Sequence, residues 1–219
     1  MQSYHLNKER FFGINNYTLK KWSKMNTNKL ICIVGMCGAG KSEVAKCLME
    51  KKEYGFFRFG QITLDKIKEM GKDPNEALER KIREQFRSEH GMAAFAILNG
   101  PKIERLLAEG DVIGDGLYSW EEYLVLKEKY PDNFITIAVY APPAERYARL
   151  EGRAERHGED KDLRFRSFTK EEAASRDKAE IENLHKAGPI AMADYTVMNA
   201  SSLDELRRQV DGIYTKIYQ

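Results

Sequence analysis

An α/β fold, three layers deep around a five-stranded parallel sheet, is what the sequence predicts, on three observations. Short apolar runs alternate with helix-forming stretches from Leu30 to the C-terminus. The first apolar run leads directly into a glycine-rich turn and then a helix, LICIVGMCGAGKSEVAKCLM. No repeat of about 20 to 50 residues and no linker-like composition divides the chain after that point.

The bulk composition sets limits on function. A chain of 219 residues, 42% apolar and 32% charged, suits one domain with a real core and a heavily solvated surface. A net charge of +2 gives no reason to expect a nucleic-acid or membrane partner. No apolar run approaches the roughly 20 residues that span a bilayer, and the N-terminus lacks the apolar core of a secretion signal, so a cytoplasmic protein is expected. The cysteines Cys32, Cys37 and Cys47 form no C-x-x-C pair, so neither a zinc site nor a disulfide framework is expected. Cys37 reads as a small residue tolerated in its loop, with redox sensitivity as the alternative. His5, His90, His157 and His185 are scattered without a Ser or Cys partner, so no triad is predicted.

Residues 1–28 are polar, and their lysines and arginine are opposed only by Glu9; they read as a loosely ordered basic extension, with Met25 a natural start for a compact domain. Leu30 to Val34 is the first strand, and Gly55 to Gly60 the second. A short helix follows from Ile62 to Met70. Asp73-Pro74-Asn75-Glu76 then opens a helix with Asp73 as cap and Pro74 in the first position. Its apolar side is Leu78, Ile82 and Phe86, with Arg83 and Arg87 elsewhere. The apolar stretch Met92 to Leu98 is expected to kink or break at Asn99-Gly100-Pro101, and Lys102 to Glu109 to resume as helix, closed by Gly110. Asp111 to Asp115 is the third strand, and Ser119 with Glu122 forms a capping box for the next helix. Asn133 to Tyr140 and Asp194 to Met198 are the fourth and fifth strands. Ser202 and Glu205 cap a final helix whose Leu203, Leu206, Val210, Ile213 and Ile217 form a core stripe.

The spacing G-x-x-x-x-G-K-S at Gly35 to Ser42 is that of a phosphate cradle. Its glycines let several backbone N–H groups aim at one point, and the following helix adds its positive end. Gly35, Met36, Cys37, Gly38, Ala39, Gly40, Lys41 and Ser42, with Glu43 opening the helix, are therefore the donor-phosphate set. Lys41 reaches the outer phosphates and Ser42 takes a position on Mg²⁺. Ligands of a parallel sheet bind beyond the carboxyl ends of its strands. There Asp115 is expected to hold the metal's water shell, with Gly116 beside it.

Between the fourth and fifth strands lies an arginine-rich segment carrying Arg146, Arg149, Arg153, Arg156, Arg164, Arg166 and Arg176. Phosphoryl transfer needs positive charge around the migrating group. A helix placing Arg149 and Arg153 one turn apart is expected, then a second, opened by Thr169 and Glu172, ended by Gly188-Pro189 and presenting Arg176. The tip HGEDKD reads as a hinge that closes the segment as a lid. The alternative is a solvated hairpin whose arginines pair with Glu151, Glu155 and Asp177.

These residues together resemble the P-loop kinases of the nucleoside monophosphate kinase type, nearest to the adenylate-kinase-related family that also looks like dephospho-CoA kinase. The likeness is carried by Gly35 to Ser42, by Asp115-Gly116 in VIGDGLYSWEE, by Ala141-Pro142-Pro143 with Arg146-Tyr147-Ala148-Arg149-Leu150, by Arg176-Asp177, and by IAMADYTVMNASSLDEL. It covers residues 29–219. It implies a three-layer P-loop kinase fold with an acceptor-binding insertion at 60–100 and a helical lid at 151–178. It implies ATP and Mg²⁺ as cofactors and a nucleotide-like small molecule as acceptor, in a monomer or homodimer. The turn Asn199-Ala200-Ser201 would lie near adenine, Arg149, Arg153 and Arg176 would face the phosphates, and Arg58, Gly60, Gln61, Arg83 and Arg87 would receive the acceptor. Two positions depart from the resemblance: Leu117-Tyr118-Ser119 stands where an arginine is usual, and Gln61 where an acid is. Both lie on the acceptor side, and a hydroxyl acceptor such as dephospho-CoA does not require that arginine. A nucleotide-binding regulatory module or slow ATPase switch is the rival reading.

Overall fold

The computed structural model describes residues 27–153 and 167–219. The basic extension before residue 27, the HGEDKD tip, and Arg156, Arg164 and Arg166 lie outside the described residues. Five strands, β1 (Leu30–Val34), β2 (Gly55–Arg58), β3 (Val112–Asp115), β4 (Phe134–Tyr140) and β5 (Tyr195–Met198), form one all-parallel sheet in the order β2-β3-β1-β4-β5. The described helices are α1 (Lys41–Met49), α2 (Gln61–Glu69), α3 (Glu76–His90), α4 (Ala94–Glu109), α5 (Trp120–Lys129), α6 (Pro143–Leu150), α7 (Lys170–Leu184), α8 (Ala187–Ala191) and α9 (Leu203–Tyr218).

The central strand explains the layering. All five residues of β1 are fully buried, and successive side chains point to opposite faces. Leu30, Cys32 and Val34 join Phe95, Ile103 and Leu107 of α4 and Tyr123 and Leu126 of α5. Ile31 and Ile33 join Val44 and Leu48 of α1 and Leu206, Val210, Ile213 and Ile217 of α9. Leu203, expected in that last stripe, is instead exposed, because it is the first residue of α9 and lies outside the contact. Asp194 pins the edge strand: its Oδ2 accepts from the Thr136 amide at 2.7 Å and hydroxyl at 2.8 Å.

Four local expectations are corrected. The segment 94–109 is one helix that runs through Pro101 without a break. Burial of Phe95, Asn99, Ile103 and Leu107 along one side outweighs the missing N–H. Asn99 also donates to Phe95 O at 2.8 Å and to Phe59 O at 3.1 Å, which ties α4 to the end of β2. The cap of α3 is Asn75, whose side chain accepts from Leu78 N at 3.0 Å, so Pro74 precedes the helix. Helix α7 ends at Leu184, where His185 takes the left-handed conformation, and Gly188-Pro189 falls inside α8. Helix α6 ends at Leu150, with Glu151 extended and Gly152 at φ 64°, so Arg149 and Arg153 do not share a helix. The capping boxes of Ser119 with Glu122 and of Thr169 with Glu172 form as the spacing predicts.

The first of these boxes carries a pH signature. Glu122 is fully buried; one oxygen accepts from Tyr118 N at 3.0 Å and Ser119 N at 3.3 Å, and the other has no hydrogen-bond partner among the described residues. Burial raises its pKa to about 7, against those two amides and Arg87. The folded state therefore holds a proton between roughly pH 4.5 and 7 that the unfolded state has lost, and stability falls as pH rises through that window. Glu122→Gln is expected to flatten this dependence and to stabilise the protein at pH 8 by about 2 kcal/mol, read from urea unfolding at pH 5, 6, 7 and 8.

Candidate functional site

The carboxyl ends of β1, β3, β4 and β5 frame the glycine-rich loop. Gly40 adopts φ 101°, and a Cβ there would lie 2.2 Å from Asn199 Nδ2, so the position is closed to other side chains on both counts. Asn199 in turn donates to Ala39 O at 2.8 Å and takes Arg149 Nη2 on its carbonyl at 2.8 Å. No side chain caps the first turn of α1; the Glu43 and Val44 amides donate to Gly40 O, and no side chain competes for the helix start at Lys41 and Ser42.

Lys41 folds back over this loop and donates to Gly35 O and Met36 O, each at 3.0 Å. Burial, and then the nearby Lys186 ammonium, lower its pKa to about 8, partly offset by Asp115 and Glu180. The Ser42 hydroxyl lies 3.5 Å from Asp115 Oδ2, and Arg58 Nε lies 3.8 Å from the same oxygen. The other Asp115 oxygen is buried without a hydrogen-bond partner among the described residues. A hydroxyl beside an under-satisfied carboxylate is a hard-oxygen pair that fits Mg²⁺. No cluster of three or more His, Cys, Asp or Glu suited to a metal occurs among the described residues, so such an ion would take its remaining ligands from water and phosphate oxygens.

The arginines of the segment between β4 and β5 differ in their surroundings. Arg149 pairs with Glu145 at 2.9 Å as well as with the Asn199 carbonyl, beside the exposed Ala200 and Ser201. Arg153 follows the turn at Gly152. Arg176 donates to Glu180 at 3.1 Å and lies over the Phe168 ring. Despite burial, Cys37 and Glu180 hold it above the ordinary guanidinium value. Arg146 instead is structural: buried, it grips Asp177 through both Nη atoms and donates to Ala141 O and Cys37 O, each at 3.1 Å.

Among the residues expected to receive an acceptor, Gly60 lies under the Tyr118 hydroxyl, and Gln61 turns along its own helix to Asp65. Arg83 pairs with Glu79, and Arg87 lies over Phe95. Burial lowers the Arg87 pKa. Gly116 is buried in the turn after β3 at φ 86°.

The sequence reading missed Glu180 and Lys186, both buried and joined at 2.7 Å. Glu180 follows Arg176 by four residues, a spacing that could have revealed their pairing. Nothing local marks Lys186. Among the described residues no helix is long and apolar enough to cross a membrane.

Comparison with known proteins agrees with this architecture. Residues 31–182 match the AAA_18 family, described as an AAA domain. A UPF0200 protein of Thermococcus kodakarensis is 30% identical over 194 residues, covering 86% of this chain and 100% of the relative. One from Sulfurisphaera tokodaii is 31% identical, covering 88% and 99%. Among solved structures, TT1252 from Thermus thermophilus matches with TM-score 0.58 at 19% identity, over 88% of this chain and 99% of that one. The shikimate kinase of Acinetobacter baumannii in complex with shikimate matches with TM-score 0.54 at 18% identity, over 89% and 96%. The fold is therefore that of P-loop kinase-like nucleotide-binding proteins, and the chain belongs to the AAA_18 family and to the UPF0200 proteins.

Proposed function

We propose that the protein is an ATP- and Mg²⁺-dependent kinase that moves the γ-phosphoryl group to a small nucleotide-like acceptor, with a nucleoside monophosphate preferred and dephospho-CoA next. The observation that carries this reading is the meeting of Lys41, Ser42 and Asp115 with the α7 cation Arg176 and the buried Lys186 around one loop. When bound, Mg²⁺ supplies charge neutralisation on the phosphate oxygens. The loop N–H groups and Lys41 hold the donor phosphates. Ser42 and Asp115 position the metal. Arg149, Arg153 and Arg176 offset charge on the transferring group, and Arg58, Gly60, Gln61, Arg83, Arg87 and Gly116 receive the acceptor. The Arg87 guanidinium and the other cations on that side favour an anionic acceptor.

The test is ADP formation from Mg-ATP with AMP, CMP, UMP, deoxynucleoside monophosphates or dephospho-CoA. Turnover that depends on one acceptor is expected. Hydrolysis indifferent to every acceptor, or binding without turnover, would replace the kinase with a slow ATPase or nucleotide-binding regulator.

Donor binding has its own signature. With Lys41 at about 8, arriving phosphates restore its charge, so Mg-ADP binding at pH 8.5 is expected to take up a fraction of a proton. The uptake vanishes at pH 6.5, where Lys41 is already charged, and is read by calorimetry in two buffers of different ionisation enthalpy.

A further inference from the structure

The end of helix α7 carries a second charged centre beside the phosphate loop. After Leu184 the left-handed His185 (φ 49°) reverses the chain, and Lys186 turns inward to 2% exposure. Its ammonium donates to Glu180 Oε2 at 2.7 Å and lies 5.0 Å from the centre of the Tyr118 ring. The other Glu180 oxygen accepts from Arg176 Nε at 3.1 Å. One carboxylate therefore serves two cations, and the trio carries a surplus positive charge.

The surroundings give that surplus a direction. On one side is Lys41, whose charge Lys186 disfavours through space. On the other is Tyr118, whose hydroxyl abuts Gly60 at the start of α2; a Cβ on Gly60 would lie 2.9 Å from it. Lys186 thus stands between the phosphate loop and the acceptor side. A buried ion pair leaves no charge over, whereas one carboxylate between two cations leaves one uncompensated, and an uncompensated charge taken from water is costly. A third cation beside two that share one carboxylate raises that cost, and an incoming anion relieves it.

Resting on the kinase reading above, we propose that Lys186, steadied by Glu180 and the face of Tyr118, binds an oxyanion at the junction of the phosphate loop and the acceptor side. That oxyanion belongs either to the phosphoryl group in transit or to an anionic group of the acceptor. Lys186 thereby joins Arg176 among the substrate-contacting groups, and the Glu180 carboxylate they share sets its position.

Calorimetric titration of the full chain with inorganic phosphate, with and without saturating Mg-ADP, tests this. Wild-type protein is expected to bind phosphate. Lys186→Met weakens that binding about tenfold or more while Mg-ADP affinity stays within about twofold. Because Lys186→Met leaves Glu180 with one partner fewer, the double variant Lys186→Met/Glu180→Gln removes the pair together and is checked for folding by circular dichroism; it too loses phosphate affinity. Lys186-dependent phosphate binding that requires Mg-ADP assigns the oxyanion to the group in transit, and Lys186-dependent binding that is the same with and without Mg-ADP assigns it to the acceptor; each supports the site, whereas phosphate that Mg-ADP displaces lies in the loop and overturns it. Wild-type protein that binds Mg-ADP but no phosphate, a double variant that binds phosphate normally, or equal losses of phosphate and Mg-ADP would each overturn it. Wild-type protein that binds no Mg-ADP would overturn the kinase reading instead, and the nucleotide-free titration then decides Lys186.

Discussion

Replacing Lys41 by methionine is expected to slow acceptor-dependent ADP formation about a thousandfold, some 4 kcal/mol of barrier, without lowering stability. The two halves of that result have one cause. In the free protein the Lys41 ammonium rests on the Gly35 and Met36 carbonyls, partly buried and close to Lys186, and its charged form is disfavoured. Removing it relieves that repulsion, so the unfolding midpoint stays level or rises by the equivalent of about 1 kcal/mol. In the transfer reaction the same ammonium faces developing phosphate charge, where it is needed. Lys41→Arg is not expected to rescue the rate, because a planar guanidinium does not fit the point that a compact ammonium occupies between two carbonyls. Steady-state kinetics and urea unfolding on the same preparations check both halves. Full transfer activity in Lys41→Met would remove the loop from the donor site.

The second large effect concerns stability. Arg146→Met is expected to cost about 3–5 kcal/mol, a large share of the total stability of a domain, and to shift the thermal midpoint down by roughly 10 °C. Arg146 is 4% exposed and Asp177 is 7% exposed, and the pair is bidentate at 3.0 and 2.5 Å. Without the guanidinium, Asp177 keeps the Tyr147 hydroxyl at 3.1 Å but no cation from Arg146. The Cys37 and Ala141 carbonyls lose their donor as well. The double variant Arg146→Met/Asp177→Leu should recover at least half of the lost stability, because no charge is left buried alone. It should not recover activity in proportion, since the Cys37 carbonyl still lacks the group that fixes the phosphate loop to α6. Equal losses in the single and double variants would show that the ion pair is not the source of the effect.

Much of the scaffold was legible in the chain. The five strands fall where apolar runs predicted them, and the capping boxes at Ser119 and Thr169 form, because each is encoded within a few contiguous residues. The errors have the same origin. Pro101 reads as a breaker only while the burial of Phe95, Asn99 and Ile103 is unknown. The cap at Asn75 rather than Asp73 is a choice between two adequate side chains that local rules do not separate. Arg149 and Arg153 look like one helical face until Glu151 and Gly152 end the helix between them.

The candidate site divides in the same way. Gly35 to Ser42 announces itself by spacing, since the cradle depends on glycine conformations and on a helix start that lie within one short stretch. The charged residues do not announce their parts. Arg146 and Arg176 are alike in sequence, yet one is bound to Asp177 as a strut and the other reaches Glu180 beside Lys186.

The sequence by itself determined the order of elements, the phosphate loop and most helix starts, because propensity, glycine conformation and capping act between near neighbours along the chain. Only the tertiary structure decided which charges brace the loop and which surround it. Asn199 meets the loop carbonyl of Ala39 across 160 residues, and Arg146 meets Asp177 across 31. A charge takes its role from burial and from its partner in space, and neither is written in the residues beside it.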